Sequence, residues 1–243
     1  MNSKKSYYER GISLVLSVYN EEYYIKQSLT ACIKSLESFE MPFEIIVVDD
    51  GSSDKSYDLL AEFSEKDERI KVIKNDINLN QGISLLRGLK HAKYSYVTIN
   101  AIDLIFNLDD LKPNLNYLEN HSAIVFERAD RKNIPTFRNI ISFFYLLLMK
   151  ASFMCRINDF NFGQAFRNDD LQTVLPSVIS RSPALVMTET ILRLLKTGHA
   201  IHVTQSYPQA REMGEPSMGN FHVIFWCLYD LLRLRKRTFF GDW

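Results

Sequence analysis

Three short stretches of this 243-residue chain collect acids, amides and hydroxyls directly behind apolar runs. Tyr19-Asn20-Glu21-Glu22 follows Ile12 to Val18, and Asp49-Asp50-Gly51-Ser52-Ser53-Asp54 follows Glu44 to Val48. The third, Asn100-Ala101-Ile102-Asp103, follows Ser95 to Ile99. Carboxylates gathered at one place repel one another unless a cation or a donor-rich ligand joins them. A divalent metal with a nucleotide is the economical chemistry for such a cluster. The plainer alternative makes Ser53 or Asp54 a helix cap and Gly51 a turn. One cap needs one carboxylate, so that alternative accounts less well for Asp49 and Asp50 together.

The elements that would position these groups follow from periodicity. Ile12 to Val18 and Glu44 to Val48 are nearly continuous apolar runs, the pattern of buried parallel strands. Between them Ile25, Leu29, Ile33 and Leu36 recur at helical spacing, and a second helix begins at Tyr57. Ile70 to Lys74 and Ser95 to Ile99 read as further strands, separated by a helix from Gly82 to Lys93. Strand and helix alternate, which predicts an α/β fold with a mostly parallel central sheet and helices on both faces. In such a sheet ligands sit beyond the carboxyl ends of the strands, where the three polar clusters lie.

The second half is less regular. A strand is expected at Ala123 to Phe126, helices at Phe137 to Ala151 and Pro183 to Lys196, and a short strand at Ala200 to Thr204. A last helix, Phe221 to Leu234, runs into Arg233, Arg235, Lys236 and Arg237. Arg128 and Arg131 are forked donors that could reach a phosphate, or could simply lie in a solvated loop. His199 and His202 flank a short strand at a spacing that makes a poor metal pair. Asp109 and Asp110 read as the start of a helix.

Composition narrows the class. Hydrophobic residues make up 46% and charged residues 24%, and Lys plus Arg equals Asp plus Glu at 29 each. No global basic field exists to hold nucleic acid, so an anionic ligand must meet local clusters. The three cysteines are scattered, without metal-ligand spacing, as suits a reducing compartment. The N-terminus lacks an apolar core of signal-peptide type, and Ile140 to Met149 is short of the roughly 20 residues a spanning helix needs.

Taken in order, Ser17 to Glu22, Val47 to Asp54 and Asn78 to Ala92 resemble the N-terminal half of family 2 glycosyltransferases with the GT-A fold. The family pattern has a proline at Ser17, while Tyr19, Asn20 and Glu21 match. Asp159 to Arg167, Glu189, and Arg211 to Ser217 are similar to the polyprenyl-phosphate branch, which resembles dolichyl-phosphate mannosyltransferase.

The resemblance implies an inverting transfer from a nucleotide-diphosphate sugar to a polyprenyl phosphate or related cell-envelope acceptor. Ser17, Tyr19, Glu21, Asp49, Asp50 and Gly82 would line the nucleotide pocket. Arg128, Arg131, Arg211 and Ser217 would hold phosphates. Asp103, Glu189 and Arg211 would serve the reaction, and Asn100 and Asp103 would face Mg²⁺ or Mn²⁺. The family expects Asp-x-Asp where this chain has Asn100 to Asp103, which implies a weaker or altered metal site. Glu189 is followed by Thr190 rather than the Asp that hydroxyl-directed relatives use as base, which favours an acceptor that is already an anion. The alternatives are a hydroxyl-directed glycan transferase and a non-catalytic nucleotide-sugar-binding protein. Residues 1–217 would form the transferase domain. Residues 218–243 would form an amphipathic basic helix making peripheral contact with the cytoplasmic face of a membrane.

Overall fold

The computed structural model describes residues 6–103, 106–130, 157–209 and 229–236, together with 146–147, 149–150, 153 and 227. Seven strands form one sheet: β1 (Glu9–Val18), β2 (Phe43–Asp49), β3 (Ile70–Lys74), β4 (Tyr94–Ala101), β5 (Ala123–Arg128), β6 (Gly163–Arg167) and β7 (Ile201–Ser206). Their order is β3-β2-β1-β4-β6-β5-β7. Strands β1 to β4 pair in parallel, β6 runs antiparallel to both β4 and β5, and β7 returns parallel to β5. The chain runs outward from β1 to β3, then crosses back to place β4 on the other side of β1. That reversal opens a crevice above the carboxyl ends of β1 and β4.

Alternation along the buried strands sends side chains to two cores. Leu14, Leu16, Ile45 and Val47 meet Ile25, Leu29 and Leu36 of α1 (Glu22–Glu37) and Leu60 of α2 (Ser56–Lys66). Leu108, Leu111, Leu115 and Leu118 of a 3-10 helix (Leu108–Glu119) complete that face. On the other face Val15, Ile46 and Val97 meet α3 (Gln81–Leu89), α4 (Asn168–Val174) and α5 (Pro183–Lys196). Helices thus cover both faces, as the periodicity predicts.

The differences from expectation are local. Strand β6 and helix α4 were not anticipated, because Gly163–Arg167 is short and α4 opens on the polar run Asn168-Asp169-Asp170. The expected helix Gly82 to Lys93 ends earlier, at Leu89. The expected helices Phe137 to Ala151 and Phe221 to Leu234 lie largely outside the described residues. Residues 229–236 are helical, and Leu231 and Leu234 pack on Leu185 and Leu192 of α5. Asp230 accepts hydrogen bonds from the Arg181 and Ser182 amides at 2.8 and 2.7 Å, capping the start of α5 from outside. The terminal helix is thereby docked on the same body as the sheet.

Candidate active site at the carboxyl edge of the sheet

The strand register brings the three polar clusters to one level. Val18 lies opposite Asp49, and Ser17 opposite Ala101. Beyond these ends the loops clasp each other. Asn20, at φ 53°, accepts from the Ser53 amide at 2.8 Å, and its own amide donates to Ser52 Oγ at 3.0 Å. The Glu21 amide donates to Ser56 Oγ and the Glu22 amide to Asp54. Burial raises the Asp54 pKa, but bonds from the Ser56 hydroxyl and from the Ser56 and Glu22 amides outweigh it, so the carboxyl sits below its usual range. Gly51 adopts φ +74°, and a Cβ there would lie 2.6 Å from the Ile77 carbonyl carbon, so glycine is required.

Asp50 is spent on the fold. Its Oδ1 accepts from Asn75 Nδ2, the Leu79 amide and Ser84 Oγ, each at 2.8 Å. It ties the loop before α3 to the helix itself, while Asn80 caps α3 through the Gly82 and Ile83 amides. Gly82 serves a helix contact, because a Cβ would meet Val186 at 2.7 Å and crowd Pro183. Asp49 differs. It is fully buried, Oδ2 is only 3.4 Å from the Ser52 amide, and Oδ1 has no hydrogen-bond partner among the described residues. Tyr19 follows Val18, the residue opposite Asp49, and has about half its surface exposed.

A cleft adjoins the end of β4. Asn100, Ala101, Arg128, Asn161, Gln164 and Gln81 supply its polar walls, and Leu85, Ile99, Phe160, Phe162, Pro183 and Met187 its apolar ones. Arg128 is held there by Asp159 at 3.1 Å and by the Phe162 ring, 5.1 Å from the guanidinium carbon. The sequence did not single out Asn161, Gln81 or Gln164. The signal for Gln164 was a polar residue inside an apolar strand.

Asn100 holds the turn that follows it. Its Nδ2 donates to the Phe106 carbonyl at 2.6 Å and its Oδ1 accepts from the Ala101 amide at 2.9 Å. Only an amide can make both bonds. Among the described residues no three of His, Cys, Asp or Glu gather as metal ligands. With the amide oxygen of Asn100 already accepting a bond, the carboxylate of Asp103 is the charged donor that this strand end offers to Mg²⁺ or Mn²⁺, one fewer than the Asp-x-Asp of the family pattern.

Glu189 also departs from expectation. It is fully buried, and its oxygens accept from the Ile179 and Ser180 amides and from Arg193 Nε at 2.7 Å. It fastens the turn before α5 to the middle of that helix and does not line the cleft. Glu21, at the start of α1, has no side-chain capping bond. His199 and His202 point to separate partners, Ser122 and the Tyr117 ring. Arg131, Arg211 and Ser217 lie outside the described residues.

The parallel order, the clasped loops at β1 and β2, and the cleft at β4 agree with one family model. The description "Glycosyl transferase family 2" matches residues 13–175, more than half of the chain. This chain belongs to glycosyl transferase family 2. An uncharacterized glycosyltransferase of Haemophilus influenzae is 35% identical over 112 residues, 45% of this chain and 43% of that protein. The undecaprenyl-phosphate 4-deoxy-4-formamido-L-arabinose transferase of Proteus mirabilis is 36% identical over 94 residues, 38% of this chain and 29% of that protein. The matched stretch thus spans less than half the length of these family 2 relatives. The fold resembles glucosyl-3-phosphoglycerate synthase of Mycobacterium tuberculosis, solved with Mn²⁺, UDP and glucosyl-3-phosphoglycerate. The TM-score is 0.63 at 17% identity, covering 93% of this chain and 80% of that one.

Proposed function

We propose that this family 2 domain transfers a sugar, with inversion, from a nucleotide-diphosphate donor to a polyprenyl phosphate. The observation that carries the donor half is the buried, unmet Oδ1 of Asp49 at the carboxyl end of β2. A buried acceptor without a partner is costly unless a ligand donor meets it, and a nucleobase N–H supplies one. Tyr19 offers an exposed ring at the neighbouring end of β1, where Ser17 and Glu21 also lie. Asp50 and Gly82 support this pocket from behind.

The sugar and diphosphate would extend toward β4. Negative charge grows on the leaving diphosphate as the anomeric carbon becomes oxocarbenium-like, and a fixed cation lowers that barrier without reorganising. Arg128, braced by Asp159 and Phe162, is that cation in the cleft. Arg131, Arg211 and Ser217 are assigned to phosphate binding on the family resemblance. Asp103 stands at the same strand end.

The acceptor half rests on Glu189. With both oxygens engaged by backbone amides and Arg193, it is unavailable as a base. A hydroxyl acceptor needs its proton removed, whereas a lipid phosphate attacks as an anion. The Proteus relative, named for transfer to undecaprenyl phosphate, supports the same choice. Tyr229 and Leu232 face outward from the docked terminal helix beside exposed Arg233, Arg235 and Lys236, a surface suited to an anionic bilayer. No helix among the described residues is long and apolar enough to cross a membrane. The proposal places the chain at the cytoplasmic face.

The test uses radiolabelled UDP- and GDP-hexoses with undecaprenyl phosphate in anionic vesicles, against a soluble oligosaccharide acceptor, with and without Mn²⁺. Label moving into the lipid fraction is the expected result. Transfer to the oligosaccharide alone would establish the hydroxyl-directed alternative instead.

A further inference from the structure

Gln164 lies in β6, opposite Ile99 of β4 and Val125 of β5, and is 1% exposed. Its Nε2 donates to the Phe160 carbonyl. A backbone carbonyl only accepts, so this bond fixes which way round the amide stands. The other end, Oε1, is buried and has no hydrogen-bond partner among the described residues. The residue lines the cleft that also holds Arg128, Asn161, Gln81 and Asn100.

Strand β6 is packed between two neighbours, and its other inward residues, Ala165 and Phe166, are apolar. An amide at this position sacrifices packing and leaves an acceptor unmet, so the fold alone gives no reason for its oxygen. The Phe160 bond explains the nitrogen and leaves the oxygen unexplained. What Oε1 lacks is a donor, and the cleft that Gln164 lines has apolar walls and holds the Arg128 cation. A hexose has both features needed, C–H faces for Leu85, Phe160 and Met187 and hydroxyl protons for an acceptor.

We propose that Gln164 determines which sugar the cleft takes, its Oε1 accepting a hydroxyl proton of the donor hexose held beside Arg128. This deepens the proposed function and rests on it. A hydroxyl can donate here, and a fluorine or ether oxygen at the same carbon cannot. Sites built around such a bond reject analogues that lack the donor, because the protein group is left unpaired.

Calorimetry with UDP-glucose, UDP-galactose, UDP-N-acetylglucosamine and GDP-mannose, against bare UDP and GDP, identifies the preferred donor. Deoxyfluoro analogues of its sugar at C2, C3, C4 and C6 then locate the hydroxyl. Wild type is expected to lose about 10- to 100-fold in affinity at one position. Gln164→Met should bind the parent sugar nucleotide that much less tightly, no longer distinguish the fluoro analogue, and bind bare UDP or GDP as wild type does. A purely structural role would weaken all ligands together and keep the discrimination. Gln164→Ala is the second variant, and the wild-type analogue series stands even if both variants fold poorly. Discrimination retained in the variants, or equal affinity for every analogue in wild type, overturns the inference. Tight binding of bare diphosphate with nothing gained from any sugar overturns it alone, whereas no binding of either class also overturns the proposed function.

Discussion

The two edges of the sheet use the same residue types to opposite ends. At the amino edge, buried Glu44 accepts from Ser13 Oγ at 2.7 Å and the Lys93 amide at 2.8 Å, and pairs with Lys71 at 2.9 Å. Asp170 there accepts from Ser122 Oγ at 2.6 Å and from Arg167 Nε at 2.7 Å. Both carboxylates are matched to groups of the fold. At the carboxyl edge Asp50 is matched in the same way, but Asp49 Oδ1 and, inside the cleft, Gln164 Oε1 are not. Polar groups that the fold satisfies hold it together. Groups it leaves unmet carry a cost that a ligand can relieve.

Breaking a matched group should cost stability. The largest effect is expected at Glu189, which shares the interior of α5 with buried Arg193 at 2.6 Å. Glu189→Ala removes one partner of a buried ion pair and strands two amides, costing about 3–5 kcal/mol in urea unfolding. If Glu189 were instead a catalytic base, the variant would unfold like wild type and lose only transfer.

Asp50→Ala comes next. Three donors lose their shared acceptor, and stability should fall by roughly 2–3 kcal/mol, with nucleotide affinity dropping because the α3 loop loosens. Asn100→Asp sharpens the comparison at β4. The new carboxylate cannot donate to the Phe106 carbonyl, so stability in urea unfolding should fall by roughly 1–3 kcal/mol. Mn²⁺ should not restore the loss. Rescue by Mn²⁺ would mean that this strand end does bind metal.

The smallest effect is on pH dependence at the edge of β7. Burial and then His121 lower the His202 pKa below 6.5. The unfolded chain therefore takes up this proton first as pH falls, so the contribution of neutral His202 is present above 6.5 and lost below it. His202 lies stacked on Tyr117 at 3.6 Å. Unfolding measured between pH 7.5 and 5 should show this slope in wild type and a shallower one in His202→Phe.

Much of this was legible in the sequence, and for identifiable reasons. Two-sided apolar runs marked β1 and β2, because strands buried on both faces have no polar alternation to hide them. The clusters after β1, β2 and β4 do meet at one edge, because parallel strands put all their carboxyl ends there. Strand β6 escaped, being five residues long with glycine at its head and a glutamine inside. Residue type alone says less about what each side chain is bonded to. Asn100 resembled a weakened metal ligand, yet its nitrogen matters as much as its oxygen. Glu189 resembled a reacting group, yet its surroundings consume it. Which of Asp49 and Asp50 is left open depends on what packs opposite each face, and periodicity carries no record of that.

The contrast between those two neighbours provides the most direct test. UDP and GDP binding by calorimetry, alongside urea unfolding, should be measured for wild type, Asp49→Ala and Asp50→Ala. Asp49→Ala is expected to unfold as wild type does, or later, while losing at least about tenfold in affinity for the preferred nucleotide, the scale of one hydrogen bond to a buried carboxylate. Asp49→Ala binding both nucleotides as tightly as wild type, or unfolding as readily as Asp50→Ala, would contradict that expectation.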